Sequence, residues 1–249
     1  MLLVDQNEDD RLGRVIEEHR ALDIERFRAP RGLSRARNTA LGQVRADFVA
    51  FPDDDCVFPD DLLERVARRF AADPPLGGLT GRAADAEGFS SPSWARDPVP
   101  LTRGNLWNRA ISFTIFLRAS VVRAVRDFDE QLGLGAGTPW SSGEEIDYLI
   151  RALDLGERIV YDPDIVVVHD RPSFSPTALR AIGARDGASI GYILRKHHYP
   201  RPMLARMLVG PAAGAVLALL QNDRTLARFH ASTLRGRLLG YRRAAPASR

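Results

Sequence analysis

An apolar run, Phe48-Val49-Ala50-Phe51, leads straight into three consecutive carboxylates, Asp53, Asp54 and Asp55. Like charges packed that closely repel, so such a cluster normally has a cation or many hydrogen-bond donors beside it. The triplet is therefore a candidate metal site. The plain alternative is a solvated turn that caps the next helix, because Pro59, Asp60 and Asp61 precede an amphipathic stretch over residues 62–70. Asp60 and Asp61 already supply that cap, which leaves the triplet without a structural task.

The same pattern opens the chain. Leu2-Leu3-Val4 reads as a strand ending in Asp5, and Asp9 or Asp10 suits the cap of a helix with Leu12, Val15 and Ile16 on one face. A second short strand follows at residues 24–28. Gly32 and Ser34 then open a helix that carries Ala36, Ala40, Leu41 and Val44 on one side. Short apolar strands alternating with helices predict an α/β layer with a mainly parallel central sheet, whose ligand sites lie beyond the carboxyl ends of the strands. Asp5 and the triplet sit at such ends.

Pro74-Pro75 stops the next helix before a strand at residues 76–80, and residues 81–104 turn rich in Gly, Ser, Pro and charge, as a long loop or lid does. A strand over 111–117 and a helix over 121–125 follow. Residues 133–147 read G-L-G-A-G-T-P-W-S-S-G-E-E-I-D. Glycines there let backbone approach a ligand closely, and Trp140 beside Glu144 and Glu145 suits a sugar ring near a base. The plain reading of the acids is charge complementarity at a helix start, with Asp147 and Arg151 as an i,i+4 pair. Ile146, Leu149, Ile150 and Leu153 mark the buried face of that helix, which ends at Gly156. Two strands, 159–161 and 165–168, flank Asp162-Pro163-Asp164, and the second ends in His169, by spacing alone a hydrogen-bonded strand-end residue. A helix over 177–198 precedes Pro200 and Pro202, which break the chain.

With 249 residues, 45% of them hydrophobic, the chain can bury one substantial core with an appendage. The single cysteine, Cys56, excludes an intramolecular disulfide framework, and the acids beside it raise its thiol pKa, against a nucleophilic role. Net charge is only +3, yet no acid follows Asp223, whereas Arg224, Arg228, Arg235, Arg237, Arg242, Arg243 and Arg249 do. That tail either attracts phosphates or is a solvated end. No aromatic-interleaved basic motif or zinc-finger spacing makes nucleic acid a partner. The first residues do not read as a signal peptide, and residues 207–220, interrupted by Gly210, Pro211 and Gly214, suit an interfacial or buried helix better than a membrane span.

The ordered set of a strand ending in Asp5, G-L-S-R-A-R-N at residues 32–38, F-P-D-D-D at 51–55, F-D-E at 128–130, G-E-E-I-D at 143–147 and V-V-V-H at 166–169 resembles a family-2 glycosyltransferase of the GT-A type. The resemblance covers about residues 1–170 and divides the chain into a glycosyltransferase domain, 1–175, and a helical, basic C-terminal region, 176–249. Within the domain, 1–80 is the donor and metal half and 105–170 the acceptor half. The resemblance implies an inverting transfer from a nucleoside diphosphate sugar, with Mn²⁺ or Mg²⁺, to a glycan or lipid-linked acceptor in cell-surface polysaccharide synthesis. It implies a cytoplasmic enzyme, with the Arg-rich tail in peripheral contact with the inner membrane face.

Carried over by position, Asp53 and Asp55 match the metal-binding D-x-D, with Asp54 between them on the donor. Asp5 matches the acid that contacts the base, and Arg35, Arg37 and Asn38 fall in the segment lining the nucleotide pocket. Glu145 matches the general base, with Glu replacing the commoner Asp and Glu144 as its neighbour in the acid pair. His169 matches a histidine that reaches metal or diphosphate, and Trp140 and Asp147 fall on the acceptor side. The strand and helix that open the family's fold are missing ahead of Met1, so the chain reads as an amino-terminally truncated form. A sugar-phosphate nucleotidyltransferase is disfavoured, because it wants a glycine-rich basic loop near the amino terminus. A non-catalytic nucleotide- or carbohydrate-binding protein is the remaining alternative.

Overall fold

The computed structural model describes residues 1–90, 94–170 and 173–244. In chain order the elements are β1 (Leu2–Asp5), α1 (Arg11–Glu18), β2 (Glu25–Arg28), α2 (Leu33–Leu41), β3 (Phe48–Ala50), β4 (Cys56–Val57), α3 (Leu62–Ala72), β5 (Gly78–Ala84) and β6 (Val99–Pro100). They continue as β7 (Ile115–Arg118), α4 (Ala119–Val125), α5 (Glu144–Asp154), β8 (Ile159–His169), α6 (Pro176–Lys196), α7 (Arg201–Leu220) and α8 (Arg224–Arg243). They form two compact units that cut across the linear division expected at residue 175. One unit holds residues 1–42, 128–144 and the chain from 173 onward; the other holds 43–127 and 145 to the end of β8.

In the first unit, β1 and β2 pair in parallel with Asp5 opposite Arg28. The glycine loop packs on the start of α2, where the Leu134 carbonyl accepts the Leu33 N–H at 2.8 Å and the Leu132 carbonyl accepts the Ser34 hydroxyl at 2.7 Å. This satisfies a backbone donor that every helix start leaves open. Gly135 has φ +75°, and a Cβ there would lie 3.2 Å from the Gly32 nitrogen, so the glycines of this loop fit it to α2. Helices α6 and α8 meet through Gly183, Gly187 and Gly191 on one side and Thr233, Gly236 and Gly240 on the other. Their backbones approach so closely that a Cβ on Gly240 would fall 1.9 Å from the Ala188 carbonyl oxygen. Ser175 caps α6 through the Ala178 N–H, and Asp223 caps α8 through the Leu226 N–H.

The second unit is built on a six-stranded sheet of order β3-β7-β5-β8-β4, with β6 also paired to β8. Here the expected mainly parallel sheet is corrected. Only β5 and β8 run parallel in it; β3–β7, β7–β5, β8–β4 and β6–β8 are antiparallel. A parallel pair needs a crossover, and α4 and α5 lie between β5 and β8 in sequence, whereas among the described residues no α-helix lies between β5 and β7. The two strands expected at 159–168 are one strand, β8. It continues through Asp162-Pro163-Asp164 as a bulge, where the register with β5 jumps from Thr80↔Tyr161 to Arg82↔Val166. The region expected as a loop from 81 to 104 gives its ends to β5 and β6, and its Trp94 ring stacks on Tyr161 at 6.0 Å. Ser91, Pro92 and Ser93 lie outside the described residues.

The core of this unit is Leu62, Val66 and Phe70 of α3 against Leu76, Leu79, Phe113, Phe116, Ile165 and Val167. Asp61 opens α3 but does not cap it: its carboxylate pairs with Arg65, one turn on, and the Pro59 carbonyl takes the Leu62 N–H instead. An Asp with an Arg four residues later has a charged partner that a bare N–H cannot match.

Candidate functional site

The second unit delivers its acids as the sequence predicts. Strand β3 ends at Ala50, and the chain turns through Asp53 and Asp55 into β4, which pairs with β8 so that Cys56 stands opposite His169. That register brings one ligand atom each from Asp53, Asp55 and His169 within 4.8 Å of one another. His169 Nε2 lies 3.1 Å from an Asp55 oxygen, and its Nδ1 lies 2.7 Å from the Asp170 carbonyl. If Nδ1 carries the proton for that carbonyl, Nε2 of a neutral ring is an acceptor facing a carboxylate. A cation between them satisfies both. The imidazole is held flat on Phe113 at 4.7 Å, and the Ser112 hydroxyl lies 3.3 Å from each Asp53 oxygen. Ser112 and Phe113 fall in the stretch expected as a strand over 111–117 and carried no site signal; the strand β7 begins only at Ile115, after a short 3₁₀ turn at Ser112–Thr114.

Two carboxylates and one imidazole suit a hard or borderline divalent cation such as Mn²⁺ or Mg²⁺. Asp54 is exposed and stands outside the cluster. Burial, helped by the charges of Asp53 and Asp55, pushes the Cys56 thiol up, so it is no nucleophile.

The candidate donor-binding residues of the first unit are committed to its own structure. The Asp5 carboxylate accepts from the Asn7 backbone at 2.8 Å, from the Asn7 amide at 2.7 Å and from the Arg26 guanidinium, with Arg28 at 3.1 Å. These donors, the Asn7 backbone first, hold its pKa at about 2, so it stays ionised. Its side chain is covered from solvent, and it lines a hollow of about 430 Å³ together with Gln6, Asn7, Arg28 and Arg31. Asn38 clamps the backbone of Phe128 with both ends of its amide, at 3.0 and 2.7 Å, and Arg35 pairs with Glu130 at 3.2 Å. Neither was foreseen as a strut for the 128–135 segment.

Arg37 and Glu144 form a buried ion pair at 2.8 Å, with side chains 9% and 5% exposed. Breaking such a pair strands a charge, whereas replacing both partners by apolar groups is often tolerated. Glu144→Gln should therefore cost about 3–5 kcal/mol of stability. The double variant Arg37→Met/Glu144→Leu should recover most of it, as urea unfolding of the three proteins would measure.

Three further assignments change. Glu144, expected beside the base, is spent on Arg37. Trp140, expected to face an acceptor sugar, is 8% exposed with its ring stacked on Tyr192 at 4.9 Å. Asp147 has no exposed surface and its carboxylate takes Arg151 at 3.0 Å, the plain i,i+4 pair. The Tyr192 ring covers Trp140, and burial within α5 encloses Asp147, so neither side chain is open to an acceptor. Glu145, one position from the buried face, is half-buried in the first turn of α5.

Two aspartates in the turn from β3 into β4 thus meet a histidine at the end of β8, the strand that β4 pairs with. Residues 1–124 match the family model described as glycosyl transferase family 2. The chain belongs to that family. The pre-mycofactocin glycosyltransferases of two Mycobacterium tuberculosis strains, CDC 1551 / Oshkosh and ATCC 25618 / H37Rv, are each 30% identical over 161 residues, 59% of this chain. The chain spans about a third of their length, since the match covers 32% of each. Among solved structures, the mannosyltransferase PcManGT from Pyrobaculum calidifontis, in complex with GDP-Man and Mn²⁺, superposes with a TM-score of 0.63 at 17% identity. That match covers 96% of this chain and 76% of the other. S. aureus TarS gives 0.57 at 17% identity, covering 93% and 48%. The family-2 chain thus has the GT-A fold of a glycosyltransferase, extended by the helices from α6 onward.

Proposed function

We propose that this family-2 chain transfers a sugar, with inversion, from a nucleoside diphosphate sugar to a hydroxyl of a glycan or lipid-linked acceptor, in the building of a cell-surface polysaccharide. The observation that carries the reading is the convergence of Asp53, Asp55 and His169 at the ends of β3 and β8 in a glycosyltransferase chain. Those three side chains would hold a Mn²⁺ or Mg²⁺ ion. Bound there, the ion would supply positive charge to offset the charge developing on a departing diphosphate.

Ser112 steadies Asp53, and Phe113 fixes the plane of the His169 ring, so two of the three ligands are oriented before any ligand arrives. Glu145 is the general base. It takes the acceptor hydroxyl proton as that oxygen bonds to the anomeric carbon from the face opposite the breaking carbon–oxygen bond to diphosphate. In the first unit, Arg28 and Asn7 at the Asp5 hollow present donors to a nucleotide, with Asp5 holding both in place.

The test is calorimetric titration of the chain with GDP, UDP and other nucleoside diphosphates, with and without Mn²⁺, followed by assay of the matching sugar donor for hydrolysis. Affinity that rises more than about 100-fold with Mn²⁺, and slow release of sugar to water, are expected. Metal-independent binding, or binding with no turnover of any donor, would return the chain to a non-catalytic binding protein.

A further inference from the structure

Beyond Arg206, helix α7 is apolar on every side, yet of its 20 residues only Pro211 and Ala218 are buried. A helix of that composition normally lies inside a protein or a membrane. Its 18-residue apolar window has a mean hydropathy of 1.8 and is 11% buried. At 100° per residue, Val209, Val216, Leu217, Leu219 and Leu220 share one arc, opposite Pro211 and Ala218, and each of the five is more than half exposed. The covered side of α7 meets α8: the Arg237 guanidinium donates to the Met207 carbonyl, and a Cβ on Gly214 would fall 2.7 Å from the His230 ring. The open arc therefore faces away from the only helix that α7 packs on closely among the described residues.

Charge identifies what covers it. Between residues 201 and 244 there are eight arginines and one acid, Asp223. Arg201, Arg206, Arg224, Arg228, Arg235, Arg242 and Arg243 are exposed. A second copy of this surface would bring like charge against like charge. An anionic bilayer offers apolar depth for the arc and phosphate for the guanidiniums.

We propose that α7 and the arginines of α7 and α8 form a docking surface for an anionic lipid bilayer, with α7 lying in the headgroup region along the membrane plane. At 20 residues and about 30 Å, α7 is long enough to span. Spanning, however, would carry its companion with it. His230 and Arg237 of α8 lie against the middle and first half of α7, so Arg228, Arg235 and Arg237 would enter the hydrocarbon, where arginine is costly. In the interfacial pose α7 sinks its apolar arc, Arg201 and Arg206 on that arc reach the phosphates, and the exposed arginines of α8, about one helix diameter further out, act on the anionic surface through its field. The inference is independent of the donor chemistry.

Flotation of the full chain, with no nucleotide or metal added, tests it on phosphatidylcholine vesicles and on vesicles with 30% phosphatidylglycerol. Binding at least tenfold stronger to the anionic vesicles is expected, weakening steeply in 0.5 M salt and released by carbonate at pH 11. Val216→Glu/Leu220→Glu should lose at least tenfold of it with unchanged helical circular dichroism. The milder Arg228→Gln/Arg235→Gln should lose binding to the anionic vesicles alone. Equal partitioning onto both vesicles, or flotation of both double variants like the wild type, overturns the proposal. A dimer that dissociates on Val216→Glu/Leu220→Glu without vesicle binding assigns the face to a second copy instead. Resistance to carbonate replaces the interfacial pose with a span. A failure here leaves the transferase reading standing, since flotation reads neither metal nor donor.

Discussion

Asp55→Asn is expected to abolish the Mn²⁺-dependent part of nucleotide binding, a loss of more than about 100-fold, because removing a direct ligand should exceed the 10–100-fold typical of an outer-shell partner. The side chain keeps its size and loses its charge, so a fold defect is not the expected cause. Asp55 is largely exposed, 69% by side chain, and contributes no core packing. Asp54→Asn is the internal control. Asp54 has the same chemistry one residue away but stands outside the cluster with His169, so its affinity should stay within about threefold of the wild type, a surface substitution with no named partner. Calorimetry of the three proteins, with and without Mn²⁺, separates the outcomes. Equal losses at both positions would mean that the triplet acts through bulk negative charge, and retention in Asp55→Asn would remove it as a ligand. Ser112→Ala should fall between, because it frees Asp53 to turn without removing an oxygen ligand.

The strand that delivers these acids was legible because burial writes itself as an apolar run and the charges that end it cannot be buried. Element type held for the same reason along β1, α1, β2 and α2, where apolar spacing is local information. Pairing direction was not legible. Whether β7 runs with or against β5 depends on the path of the chain between them, and no residue in 85–114 encodes it in isolation. The bulge in β8 misled for a related reason: Asp-Pro-Asp reads as a turn, yet β5 pairs with β8 both before and after it and holds it in one strand.

At the site, the sequence places His169 and the triplet at strand ends, but only the β4–β8 register puts them together. The first unit shows the opposite failure. Arg35, Arg37 and Asn38 share a motif whose residue types suit a nucleotide, and the same donors suit the backbone and carboxylates of the 128–144 segment, 90 to 107 residues away in sequence. A sequence reports what a guanidinium can bind, not which acceptor reaches it first. The basic tail was visible as composition, but its apolar companion was expected to be buried or interfacial. Only the exposure of α7 separates those two.

Glu145→Gln is expected to lower the rate of sugar transfer by about 10²–10⁴-fold, the usual worth of a positioned general base and about 3–5 kcal/mol of barrier, while nucleotide affinity and unfolding midpoint stay at wild-type values. The comparison with Glu144 gives the test its force. The two acids are neighbours in sequence and open the same helix, yet consecutive helical positions point about 100° apart. Glu144 turns inward onto Arg37, and Glu145 keeps part of its surface in solvent. Glu144→Gln should therefore show its effect in urea, and Glu145→Gln in turnover. A base that only takes a proton in the transition state lowers kcat without touching donor affinity, whereas a donor ligand would raise the nucleotide Kd. Glu145→Asp measures reach. Losing one methylene withdraws the carboxylate by about 1.5 Å, a bond's length, and misplacement of about 1 Å can cost 10²-fold, so this variant should fall between Glu145→Gln and the wild type. Unchanged turnover in Glu145→Gln would remove it as the base. Joint loss of turnover and stability would place it with Glu144 in the framework of α5, and the base would then have to be sought among the other carboxylates of the second unit.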